Sequence, residues 1–86
     1  MKSRKKRIEQ LLSKNFLEYE IIVEDTSIFH KGHGNFNGLQ ESHFKITLQS
    51  SLYDKKRRLE IHKKINLILE TEFNLGLHSV EIKLVN

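Results

Sequence analysis

Five histidines in a chain of 86 residues raise the first chemical question. Two of them, His30 and His33, stand in "FHKGHGNF" as His-x-x-His between strand-like runs. Neutral imidazole is a common ligand for zinc, copper and iron. Gly32 and Gly34 let the backbone bend to aim both rings. The alternative is a solvated polar loop, because a full zinc motif needs four ligands at set spacings. His43 opens a strand on its polar side, where it serves as a structural hydrogen-bonding residue. With His30 and His33 it would make a three-histidine zinc site lacking a fourth ligand. His62 is flanked by Ile61 and two lysines; it contacts phosphate when protonated, or packs at the edge of an apolar stripe. His78 shares the inward parity of Val80 and Ile82. It is either a core histidine satisfied by a backbone carbonyl, or a rim residue near the point where the long loop departs.

The elements that must position these residues are legible from periodicity. Ser3 to Asn15 reads as a helix, with Ile8, Leu11 and Leu12 on one stripe that Phe16 extends. Leu17 to Asp25 reads as a strand, in which Leu17, Tyr19, Ile21 and Val23 alternate with their neighbours. A long loop, Thr26 to Ser42, carries three of the four glycines. His43 to Ser50 is a second strand, with Phe44, Ile46 and Leu48 facing one way. The main helix starts near Asp54 as a candidate N-cap. Leu59, Ile61, Ile65, Ile68, Leu69 and Phe73 form its buried stripe, and Gly76 offers a left-handed C-cap. "LHSVEIKLV" is the last strand. The order helix-strand-strand-helix-strand predicts a single α+β domain over residues 1–86: a three-stranded mixed sheet, helices on one face, the other face polar.

Composition narrows the function classes. The chain contains no cysteine and no proline. It therefore brings no disulfide and no thiolate ligand. No apolar run approaches a membrane span. The basic start "MKSRKKRIEQ" is not followed by an apolar run, so no secretory leader is expected and a cytoplasmic protein is. The formal charge of +4 attracts polyanions. A basic cluster enters the main helix: Lys55, Lys56, Arg57, Arg58, then Lys63 and Lys64 around His62. It is either a phosphate-contacting face or a solvated one. No nucleophile–base pair, paired carboxylates or phosphate loop is present, and Gly32-x-Gly34 is no nucleotide fingerprint. An enzyme is not expected.

In order and in register, "VEDTSIFHKGHGN", "ESHFKITLQSSLYDKKRRLEIHKKIN" and "LGLHSVEI" resemble the BolA family over nearly the whole chain, and most of all its longer-loop alphaproteobacterial members. The resemblance implies a fold similar to a class II KH domain. The G-x-x-G loop of RNA-binding KH domains does not occur here. The family's arginine-histidine-arginine helix motif reads Ile61-His62-Lys63 in this chain, and its "V-H-A-L" reads Leu77-His78-Ser79-Val80. BolA-like proteins pair with monothiol glutaredoxins and share a bridging two-iron, two-sulfur cluster. The resemblance places the cluster ligands at His30 and His78, with His33 as a substitute for His30. Two histidines can replace two thiolates on one iron, so the partner's cysteine and glutathione would complete the other. No cofactor is expected on the isolated chain, which would be a monomer or weak homodimer. The family's alternative role is DNA-binding transcriptional regulation in stress response and morphology, here through the basic helix face.

Overall fold

A computed structural model describes residues 3–27 and 42–86. His30 and His33, with most of the long loop, lie outside the described residues. Helix α1 spans Arg4–Asn15. Strand β1 follows at Glu20–Asp25 and β2 at His43–Gln49. A 3-10 turn, Lys55–Arg57, leads into α2, Arg58–Ile68. A short α3, Glu70–Asn74, precedes β3, Ser79–Val85. The sheet order is β1-β2-β3. β1 and β2 pair antiparallel, and β2 and β3 pair parallel with Ile46 opposite Ile82. The expected mixed sheet is therefore present.

Ser3 starts α1 because its hydroxyl accepts the Lys6 amide at 3.3 Å, filling a donor the first turn leaves open. Ile8, Leu12 and Phe16 then recur at four-residue intervals and are buried. They meet Phe44, Ile46 and Leu48, alternate residues of β2 that share one face. From α2, Ile61, Ile65 and Leu69 complete the layer. The core thus lies between β2 and the helices.

Three expectations of the sequence fail on particular residues. Leu17 is 84% exposed, because the chain turns after α1 and β1 begins only at Glu20. The Tyr19 amide instead donates to the Phe16 carbonyl at 3.1 Å, and the two rings meet edge-on at 5.7 Å. Leu59 is 66% exposed: two residues before Ile61, it points about 200° around the helix from the buried row. The main helix is also not continuous. It opens as a 3-10 turn capped by Asp54 Oδ1 on the Lys56 amide at 2.9 Å, and it breaks at Leu69.

The end of α3 is a Schellman motif. The Leu77 amide reaches back to the Glu72 carbonyl at 2.9 Å, and the Gly76 amide to that of Phe73 at 3.3 Å. Gly76 takes φ +116°, where a side chain is strained. A Cβ there would meet only ordinary contact with Arg4 Nη2 at 3.5 Å, so the cost is conformational. Gly76→Ala is expected to lower stability by about 1 kcal/mol, measurable as an earlier urea midpoint with unchanged slope.

Candidate metal half-site

The two ends of the long loop close into a neck. Asp25 Oδ1 accepts the Ser27 amide at 2.9 Å, a local turn that Asp favours. The Thr26 amide donates to the His43 carbonyl at 2.8 Å. Ser27 is fully buried, and its hydroxyl accepts the Ser42 amide at 2.9 Å and the His43 amide at 3.0 Å. It donates to the His43 carbonyl at 3.4 Å. One hydroxyl therefore fastens where the loop leaves β1 to where it joins β2.

His78 is bound to the same neck. Its amide donates to the Ser42 carbonyl at 2.7 Å, and the Ser79 amide reaches the same oxygen at 3.1 Å. Two consecutive amides aimed at one acceptor break the alternation of a strand. His78 accordingly leaves the inward parity expected of it and is exposed, so the core-histidine reading is overturned. Its ring lies 4.9 Å from that of His43, tilted by 40°. His43 has the polar-face parity but is only 7% exposed, and its Nδ1 is 2.9 Å from Ser42 Oγ. The expected hydrogen-bonding role of His43 agrees with this contact.

Among the described residues no three metal-binding side chains converge. The neck instead presents one exposed imidazole, backed by a second, beside the base of the segment that carries His30 and His33. It lacks the ligands for a closed structural site. Sequence reasoning missed Ser27 and the His43–His78 ring contact. The signals were there in "DTS" and in the matched starts of β2 and β3.

The basic residues proposed for nucleic acid fall into two groups. Lys55, Lys56, Arg57 and Arg58 are consecutive and exposed around the 3-10 turn. Lys63 is exposed and His62 half-buried on α2. Lys64 is engaged within the fold: its Nζ donates to the Asn15 carbonyl at 3.3 Å and lies 5.0 Å from the Phe16 ring centroid. No described helix is long and apolar enough to cross a membrane.

A small α+β domain with a histidine at the neck of a β1–β2 loop defines the class. The family model for BolA-like protein matches residues 12–86, and the chain belongs to that family. It is 27% identical over 84 residues to chloroplastic BOLA1 of Arabidopsis thaliana, covering 95% of this chain and 52% of that protein. The chain therefore spans about half the length of that relative. It is 31% identical over 77 residues to the DNA-binding transcriptional regulator BolA of Haemophilus influenzae, covering 90% of this chain and 71% of that one. Among solved structures, the BolA domain of SufE1 from Arabidopsis thaliana superposes with a TM-score of 0.78 at 32% identity, over 98% of this chain and 92% of that one.

Proposed function

We propose that this chain is an accessory protein, without catalytic activity of its own, that pairs with a monothiol glutaredoxin. Together they would hold a bridging two-iron, two-sulfur cluster for cluster maturation, trafficking or iron regulation. The observation that carries this reading is His78, exposed at the neck of the loop that bears His30 and His33. His78 and one loop histidine would hold one iron, as two imidazoles do in Rieske centres. The chain has no cysteine, so the partner's cysteine and glutathione must supply the thiolates. When bound, the cluster would supply iron and sulfide that can be passed on. His43, whose ring lies 4.9 Å from that of His78, would limit the orientation of the ligand ring by packing against it.

The test is visible circular dichroism of the chain mixed with a monothiol glutaredoxin, glutathione, iron and sulfide. A spectrum distinct from that of the glutaredoxin alone is expected. It should disappear in His78→Ala and weaken in whichever of His30→Ala and His33→Ala removes the loop ligand. No new spectrum with the wild-type chain would sink the reading.

A second reading, DNA binding, is favoured by the four consecutive exposed cations at the 3-10 turn and by the name of the Haemophilus relative, a DNA-binding transcriptional regulator. Phosphate contacts give salt-dependent affinity with little sequence information. Regulation requires a steep salt slope and a sequence preference together. A steep slope alone reports charge.

A further inference from the structure

β3 is the last strand of the sheet, and among the described residues nothing pairs with its outer edge. Its backbone polarity is fixed by its two ends. The Ser79 amide and the Val85 carbonyl both bond toward β2, to the Ser42 carbonyl and the Ser50 amide. Alternate residues of a strand point their amides and carbonyls to the same side. Ser79, Glu81, Lys83 and Val85 therefore face β2, and Val80, Ile82 and Leu84 aim their backbone groups outward.

Side chains follow the same alternation. Val80, Ile82 and Leu84 stand opposite Phe44, Ile46 and Leu48 on the helix-covered face. They pack against the core but are only half-buried. Glu81 and Lys83 project from the other face and are exposed. Glu81 lies 3.9 Å from Lys45 on its own chain.

We propose that β3 is a self-pairing edge: two copies of the chain join antiparallel through Ser79–Val85, with Ile82 on the twofold axis, into one continuous sheet. In this register Ile82 faces Ile82 of the second copy, and Val80 faces Leu84. All are outward-pointing, hydrogen-bonding residues. Glu81 then faces Lys83 of the second copy, twice by symmetry, at the closer non-hydrogen-bonded positions where side chains interact most. An axis on Glu81 or on Lys83 would leave the same backbone groups at the seam but would set like charges directly opposite each other. The other edge does not offer this match. In β1, an antiparallel twofold on Ile22 sets Glu20 against Glu24 of the second copy, acid against acid. Exposed charges on an edge strand often guard against pairing. Here their opposite signs, two residues apart, complement a second copy of themselves.

The seam is short, so the dimer is expected to be weak. Sedimentation equilibrium from micromolar to millimolar concentration should show reversible dimerisation. Hydrogen exchange should show the Val80, Ile82 and Leu84 amides gaining protection as concentration rises. Glu81→Lys places lysines at both positions, and Lys83→Glu places glutamates at both. Each variant alone should dimerise about tenfold more weakly or worse, as like charges are set directly opposite. Mixed in equal amounts they should form a heterodimer, since every lysine of the one variant then faces a glutamate of the other. Both positions are exposed, so folding is spared, and Lys83→Glu leaves the Lys45 contact untouched. A wild-type chain that stays monomeric at millimolar concentration overturns the proposal. So does a dimer indifferent to both variants, or variants that do not associate on mixing.

Discussion

Glu72→Gln is expected to destabilise the fold by about 2 to 4 kcal/mol. Glu72 is 3% exposed, yet it is an ionised carboxylate in a small domain. Arg4 Nε donates to Oε1 at 3.1 Å, and Arg7 donates through Nε to Oε2 at 2.8 Å and through Nη2 to Oε1 at 2.9 Å. Arg4 also donates through Nη2 to the Leu75 carbonyl at 2.8 Å. The first turns of α1 are thus tied to the end of α3. An amide of the same shape keeps the volume but withdraws the charge that both guanidiniums face. The lower part of the range reflects Arg7, whose side chain is 37% exposed and so partly screened by water. The hydrogen bonds from Arg7 hold the Glu72 carboxyl below the ordinary glutamate range, with its charge and Arg4 adding to the effect against the cost of burial. A lowered folded-state value means that this stabilisation is complete above the unfolded glutamate value and is lost as pH falls through the folded one. The wild-type advantage over Glu72→Gln in urea unfolding should therefore be full at neutral pH and shrink below about pH 4. An advantage that persisted unchanged into strong acid would mean that the ion pair is not its source.

Ser27→Ala is expected to cost about 2 to 4 kcal/mol, although it removes a single oxygen. Two amides, those of Ser42 and His43, lose this acceptor; Ser27 and His43 are buried and Ser42 partly so. Unmade buried hydrogen bonds cost more than made ones contribute. The effect should also reach the two histidines at the neck. His43 and His78 both hang on the Ser27–Ser42 contact, through the His43 amide and the Ser42 carbonyl. Proton resonances of both imidazoles should shift in the variant under conditions where it remains folded. A variant as stable as wild type with unmoved histidine resonances would show that the neck is held by other contacts.

The contrast between these two residues shows what periodicity can and cannot reveal. Ile8, Leu12, Phe44, Ile46, Leu48, Ile61 and Ile65 follow the spacing of helix or strand, and all are buried as that spacing demands. Gly76 announced its own turn through residue type. Glu72 did not, because a glutamate in "ETEF" reads as a solvated helix face until Arg4 and Arg7 arrive from the far end of the sequence. His78 could be placed at the rim, but its parity pointed inward. Only the doubled acceptance at the Ser42 carbonyl shows why the alternation stops one residue short. Leu59 failed for a related reason: in a helix with this many apolar residues, composition does not say which ones form the row. The pairing of His78 with the loop came from family likeness, and the structure supplies the neck that sets the loop's base beside it.

That neck has a bearing on how the family could diversify. Since Ser27 and Ser42 hold the two ends of the loop together by a hydrogen bond of their own, the socket between β1 and β2 is fixed by residues that flank the intervening segment. Doubling the length of such a segment costs only about 0.6 kcal/mol in closure entropy. Its donor atoms could be swapped, or its reach extended toward a different partner, while the scaffold that receives it folds as before.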